Sequence, residues 1–407
     1  MTMNSTPTES PDAFRVSQLL SDTRYRAKTL QTIAGVLIML FLGWLAANTL
    51  SNLNTLGKPL SFSFLGDKAG YDINQRLIPY TAEDTHLRAA LTGLMNTLVV
   101  AVLGCLTATI LGLFIGIARL SPNAGLARLA RVYVEIFRNV PLLLWLLLIF
   151  ALLTETLPAP DAFRGEDPSA TLIFSDSVAV TNRGVFVPSI SFNQPRFGWL
   201  LLGLIAGLSV LAGLLRSAAK RHQSKTGRPV ALGLPILATW ALSLMALVYW
   251  AGPTVSYPEL RGFNFRDGIH LRTSLVALWL ALALYTAAFI AEIVRAGITA
   301  VNKGQKEAAA ALGLRGGQTM RLVVLPQALR VIIPPLISNY LNLTKNSSLA
   351  IAVGYMDLTG TLMGITLNQT GRELETVLLG MSFYLAVSIS ISLVLNWYNA
   401  RVQLRER

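Results

Sequence analysis

Cysteine occurs once in the 407 residues, at Cys105. An intrachain disulfide is therefore impossible, and the apolar surroundings of Cys105 make it a small filler rather than a reactive thiol. Histidine is almost as scarce. His86, His222 and His270 fall in three separate segments with no metal-ligand spacing, which excludes a histidine-built metal centre. No GxxxxGK[ST] phosphate loop and no GxSxG elbow occurs, so the chain carries neither a nucleotide-hydrolysing loop nor a serine-hydrolase nucleophile of those types. The largest deficit is charge. Only 14% of residues are charged, against about 25% in soluble domains, and a water-soluble globular domain is excluded.

What replaces the charge is apolar sequence. Hydrophobic residues make up 53% of the chain, the mean hydropathy is +0.53, and the apolar residues gather in runs that reach the ~20 residues needed to cross a bilayer. Eight runs stand out, at roughly 30–50, 90–118, 132–153, 198–215, 230–250, 272–294, 331–354 and 376–397. The expected fold is an all-α integral membrane protein of about eight transmembrane helices. Pro141 in the third run and Pro334/Pro335 in the seventh are tolerated where neighbouring helices satisfy the freed carbonyls. If the helices alternate from a cytoplasmic N-terminus, Lys and Arg favour the inner segments by two to one, which places both termini inside. The net charge of +13 is spread over inner loops, so nucleic-acid binding is not its purpose.

Organisation follows from the same pattern. Residues 1–29 form a polar cytoplasmic tail with no short hydrophobic core of a cleaved signal, and 30–50 an uncleaved first helix. The outer segments 51–89 and 154–197 are longer than connectors need. Within the second, 175–180 and 184–191 alternate as strands do. These segments cap the pore mouth, meet an extracytoplasmic partner, or pack on each other. Runs four and five are apolar all round, joined by the basic turn LRSAAKRHQSKTGRP, and read as a peripheral hairpin. Helices two, three, six, seven and eight remain as a five-helix core, and 398–407 as a cytoplasmic tail.

Polar residues inside the runs mark the chemistry. In the seventh run Ser338, Asn339, Asn342, Lys345 and Asn346 recur at spacings of three and four, which puts them on one helix face. Lys345 is the costly member at bilayer depth. It is either half of a structural pair, with Glu292 as the candidate acid, or part of a solute path. Tyr285 and Thr286 in the sixth run serve such a path or bond a neighbouring helix. Glu135/Arg138 and Glu292/Arg295 are i,i+3 pairs near inner helix ends and read as structural ion pairs. Between runs six and seven lies EAAAALGLRGGQTMRLVVLP (307–326), polar, basic and helix-forming with glycine near its middle. A membrane protein that presents such a loop offers a docking surface.

The register Glu307, Ala308, Ala309, Gly313, Leu325, Pro326 resembles the coupling motif of ABC importer permeases. YVEIFRNVPLL (133–143), YTAAFIAEIVRAGI (285–298) and LTKNSSLA (343–350) are similar to the polar amino-acid branch of that family, and the extra first helix, long outer segments and TNRGVFVP (181–188) resemble the larger permease of general L-amino-acid systems. Asn139-Val140 and Ala296-Gly297 depart from the Gly-Thr and Gly-Gly of many relatives. The resemblance implies a permease domain over 90–397, interrupted by 154–250, with a cytoplasmic coupling loop at 303–330. It implies a location in the bacterial inner membrane and a second, related permease subunit. A cytoplasmic ATPase dimer would use the ATP, a periplasmic amino-acid-binding protein would deliver solute, and no cofactor would sit on this chain. The competing expectation from the intramembrane Lys and Glu is an ion-gradient-driven secondary transporter. That reading leaves the docking loop without a role.

Overall fold

The computed structural model describes residues 23–165, 167–194, 196–227 and 230–402. The tails expected at 1–29 and 398–407 lie mostly outside these. Among the described residues seven helices are long and apolar enough to cross a membrane, and a bent pair makes an eighth span. The first helix, α1 (Thr23–Thr55), leaves the whole of its apolar window unburied.

The bundle is organised by two helices, α2 (His86–Ala118) and α7 (Thr273–Thr299). They approach so closely that a Cβ on Gly112 would sit 2.6 Å from Ile290 Cβ and 3.0 Å from the Ala287 carbonyl oxygen. One on Gly116 would lie 2.8 Å from the Ala291 carbonyl oxygen. Small residues permit this in lipid, where packing rather than the hydrophobic effect holds helices together. Trp279 Nε1 donates to Thr107 Oγ1 across the same seam at 3.1 Å. Ala277, Ala281, Ala287, Ala288 and Ala291 are fully buried along α7.

The third span is not the straight helix expected at 132–153. Its parts α3 (Ala124–Asn139) and α4 (Leu142–Thr156) meet at 106°. Pro141 disfavours helical geometry at the residue before it, and Val140 is accordingly extended (φ −105°, ψ 133°). Phe137 and Trp145 stack across the corner at 4.3 Å, while Asn123 caps the start of α3 by accepting from the Leu126 amide at 3.1 Å.

The expected hairpin is α5 (Phe197–Thr226) and α6 (Gly233–Ala251). Most of the basic stretch read as a turn continues α5, because Ala, Lys, Arg and Gln favour helix and the first terminator is Gly227 at φ 72°. Thirty residues at 1.5 Å each make about 45 Å, longer than the ~30 Å hydrocarbon core.

At the hairpin's other end lies a small β cap. Strands β1 (Ala179–Thr181), β2 (Gly184–Val187) and β7 (Ile269–Arg272) form one antiparallel sheet. The ladders β3 (Ser189–Phe192) with β4 (Pro253–Ser256), and β5 (Glu259–Arg261) with β6 (Asn264–Arg266), complete it. Of the expected strand at 175–180 only Ala179 and Val180 join a strand, with Val178 in an isolated bridge to Ile173, since Phe174, Ser175 and Asp176 adopt left-handed φ. The cap core is aromatic, with Phe265 5.3 Å from Phe163 and 5.4 Å from Phe186. The earlier outer segment packs elsewhere. Ile73 and Tyr80 are buried beside Ala89, with Met356 packed against them, and Arg372 donates to the Pro59 carbonyl at 2.6 Å. The two outer segments thus have separate cores.

The last part of the chain comprises the short helices α8 (Lys303–Ala311) and α9 (Gly316–Thr319), then α10 (Leu325–Asn346), α11 (Leu367–Thr370) and α12 (Glu373–Val402). A 3-10 segment, Ser347–Val353, extends α10. Overpacking of the α2–α7 seam is the sharpest test of this arrangement. Gly112→Leu should destabilise the protein by about 2 kcal/mol or more. Gly207→Leu, on α5 with nothing within 4 Å, should leave the thermal midpoint in detergent unchanged.

Candidate functional site

The segment 303–326 is two short helices joined at a glycine rather than an irregular loop. Asn302 caps α8 by accepting from the Gly304 amide at 2.9 Å. The helix stops at Gly313, which adopts φ +76°. The Leu314 amide bonds the Ala309 carbonyl at 3.1 Å and the Gly313 amide bonds Ala310 at 2.9 Å, the paired closure that a left-handed glycine permits. A Cβ here would touch nothing, so the demand for glycine is conformational and not steric. Ala309 is buried, Glu307 and Ala308 are exposed, and Leu312 is 81% exposed.

Beyond Gly313 the segment runs on to Pro326. A π turn, Met320–Val324, leads straight into α10, and the Leu325 amide reaches back to the Met320 carbonyl. Pro326 falls in the first turn of α10, where a missing N–H is best tolerated. The span is continuous from Gly316 to Val353, so α9 and α10 share one run of helical backbone. Gln327 Nε2 donates to Gln305 Oε1 at 3.2 Å, tying α8 to that helix.

The polar stripe on α10 faces away from the bundle. Ser338, Asn342 and Lys345 are exposed, and Asn339 and Asn346 half-buried. Asn339 donates to the carbonyl of Pro335 at 2.9 Å, which satisfies its amide locally. Leu343 packs on Gly104 near the midpoint of α2, and Tyr340 OH lies 2.6 Å from Thr109 Oγ1. These contacts fix Lys345 at mid-bundle depth. Thr286 is enclosed inside the bundle and Tyr285 is half-buried beside Phe289. The structure does not bring these two onto the exposed face of the stripe.

Of the two ion pairs read in the sequence, Glu292 with Arg295 forms and Glu135 with Arg138 does not. Glu292 is held by Arg295, Nη2 to Oε1 at 2.5 Å, and on its other oxygen by Arg119 from the end of α2. Its partners are therefore two arginines and not Lys345, which among the described residues has no carboxylate at ion-pair distance. Glu135 and Arg138 do not pair. Asn139 Nδ2 donates to Glu135 Oε2 at 3.4 Å, whereas Arg138 reaches across to stack over the Phe289 ring at 5.3 Å. This end of α3 lies against α7, which presents the Phe289 ring to Arg138. Tyr133 OH bonds the Leu284 carbonyl at 2.6 Å in the same contact.

With this geometry in place, comparison with known proteins decides the family. Residues 200–407 match the family described as binding-protein-dependent transport system inner membrane component. The whole chain is 51% identical, over 97% of both lengths, to a glutamate/glutamine/aspartate/asparagine transport system permease protein of Rhodobacter capsulatus. The chain belongs to the amino-acid permeases of ABC importers. It is 45% identical to a putative amino-acid ABC transporter permease protein of Escherichia coli, over 94% of this chain and 95% of that one. A general L-amino acid transport system permease protein of Rhizobium johnstonii is 42% identical over 95% and 94% respectively. The permease is thus a pore-forming subunit of a binding-protein-dependent importer, and the ion-gradient reading falls.

Sequence reasoning missed two groups. Arg119 gave no signal because its partner lies 173 positions away. Asp357 is fully buried, accepts from the Gly360 amide at 2.8 Å and from Tyr384 OH at 3.1 Å, and burial pushes its carboxyl up to about 7. Its DLTG context was the available cue, an Asp three residues before the glycine whose amide it caps. The corrected pairing has a direct consequence. Glu292→Gln strips two arginines of their counter-ion and should cost about 1–3 kcal/mol in thermal unfolding, whereas Lys345→Ala should leave the melting midpoint of the isolated permease where it was.

Proposed function

We propose that the permease imports polar L-amino acids across the bacterial inner membrane, with both termini cytoplasmic, and that Ser338, Asn342 and Lys345 line the solute path. The observation that carries this reading is Lys345. It is a lysine at mid-bundle depth, exposed on the outward face of α10 and without an ion-pair partner among the described residues. A cation facing hydrocarbon is expensive, and such residues face a wet cavity or a partner. The face is therefore one that a second permease subunit closes into a channel, where the ammonium meets the solute carboxylate. The Rhodobacter capsulatus relative, a glutamate/glutamine/aspartate/asparagine transport system permease protein, supports acidic amino acids and their amides as the solute class.

Glu307, Ala308, Ala309, Gly313, Leu325 and Pro326 belong to the coupling element. ATP is used by a cytoplasmic ATPase dimer whose groove receives α8 and α9, and a periplasmic binding protein delivers the amino acid. Exposed Leu312 and Glu307 offer one apolar and one acidic contact, Gly313 fixes the angle between the short helices, and the unbroken helix from Gly316 transmits the movement.

Two variants test the lever. Gly313→Val forces a β-branched residue into left-handed φ, at about 1–2 kcal/mol or more, and Glu307→Lys inverts the contact charge. Both should abolish uptake in proteoliposomes containing the ATPase and binding protein while the permease still inserts and assembles; unimpaired uptake in both sinks the assignment. For the path, Lys345→Ala should raise the concentration of liganded binding protein needed for half-maximal uptake, with assembly unaffected. An unchanged requirement contradicts a carboxylate contact.

A further inference from the structure

The TNRG segment of the β cap has a geometry that coupling and translocation leave unused. Thr181 Oγ1 accepts from the Arg183 amide at 3.2 Å and donates to the Gly184 carbonyl at 2.9 Å, closing a tight turn between β1 and β2. Gly184 has φ +132°, and a Cβ there would stand 2.2 Å from the Leu271 carbonyl oxygen. Only glycine lets β2 lie this close to β7, and Gly184 is the register partner of Arg272. The turn therefore sets Asn182 and Arg183 beside Arg272. His270 donates from Nε2 to the Arg183 carbonyl at 3.0 Å and stacks on Phe186 at 4.1 Å. Burial, together with the charge of Arg272, holds its imidazole below the ordinary pKa against that hydrogen bond.

These side chains roof a cavity of about 370 Å³, within the size range of small-molecule sites. Its floor is the ends of α4, α7 and the 3-10 segment that prolongs α10, at Thr154, Ser274 and Gly354. Three side-chain atoms of the lining residues are buried with no hydrogen-bond partner: the acceptors Asn182 Oδ1 and Asn264 Oδ1, and the donor Arg272 Nε. Buried polar atoms are normally paired, and each exception calls for a ligand, a water or another explanation. Neither Arg183 nor Arg272 is in an ion pair among the described residues. The 27-residue α7 begins at this cavity with no side chain capping it, so its positive end adds to the field.

We propose that this cavity is an entry site for the free amino acid, taken by its zwitterionic head before it reaches Lys345. Arg183, Arg272 and the start of α7 hold the carboxylate, and the two asparagine oxygens accept from the ammonium. The unpaired groups come in both signs. An acidic side chain of a docked protein would satisfy the donors and leave the acceptors bare, whereas a zwitterion satisfies both. The cavity also lies on the route the pore implies, since its floor at Gly354 is nine residues beyond Lys345 on the same continuous element. The assignment rests on the importer reading above.

The test is equilibrium binding of radiolabelled L-glutamine to the assembled permease–ATPase complex in nanodiscs, without binding protein or ATP. A Lys345→Ala background removes the proposed path site. Binding should persist in that background and fall about tenfold or more in Arg272→Gln, the loss of one charge-assisted hydrogen bond. Arg272→Lys should restore part of it, and Asn264→Leu, which leaves both arginines in place, should weaken it too. Glutarate, which lacks the ammonium, should compete far less well than L-glutamate. Binding indifferent to both Arg272→Gln and Asn264→Leu overturns the proposal. Equal competition by glutarate does so as well, as does an Arg272→Gln defect confined to affinity for the substrate-free binding protein. The importer reading fails separately, if the wild-type complex supplied with binding protein and ATP accumulates no amino acid.

Discussion

The seam between α2 and α7 is the constraint on which the rest of the permease depends. In lipid the hydrophobic effect gives helices no reason to prefer one another over acyl chains, so their contact must come from close packing. Gly112 and Gly116 supply it by removing side chains where Ile290, Ala287 and Ala291 approach. The same approach delivers Arg119, one residue past the end of α2, to Glu292 on α7. It also sets Gly104 against Leu343 of α10, which determines how deep the polar stripe lies and which way it faces.

From that seam the chain divides its work between its two ends. At one end a short helix turns at a left-handed glycine into a second short helix, and from Gly316 helical backbone runs on through α10 to Lys345. At the other end two independent caps sit on the helix ends, one around Phe186 and Phe265 and one around Ile73 and Tyr80. The hairpin α5–α6 hangs from the first of these and adds little to the core, with Leu208 and Ala251 its only buried residues among those described.

Much of this was legible in the sequence because the bilayer makes the code simple. Length and apolarity mark spans, and seven of the eight expected runs correspond to single long helices. The third failed for a local reason. Pro141 acts on Val140 before it, and whether a proline bends a helix or rides within one, as Pro334 and Pro335 do in α10, depends on neighbours the sequence does not display. The α10 stripe was readable from its three- and four-residue spacing. Its outward orientation was not, because spacing gives a face and packing gives its direction. Ion pairs were legible in part, since Glu292 does meet Arg295. Spacing of three along α3 suggested Glu135 with Arg138, but Arg138 takes the Phe289 ring instead, and Arg119 reaches Glu292 only through tertiary contact. The cavity under the β cap had a trace in TNRG, whose meaning depends on β7 lying alongside.

The central claim is that the 307–319 segment docks an ATPase and drives α10. Cross-linking measures this most directly. Cys105, half-buried in α2, is the only cysteine, so Cys105→Ala gives a clean background for a single cysteine at the exposed position of Leu312. In reconstituted complexes the account predicts that a short thiol cross-linker joins position 312 to the ATPase, with a yield that changes when ATP is bound. A complex that imports amino acids yet gives no cross-link from position 312, while a control cysteine elsewhere on the same face captures the ATPase, would contradict it.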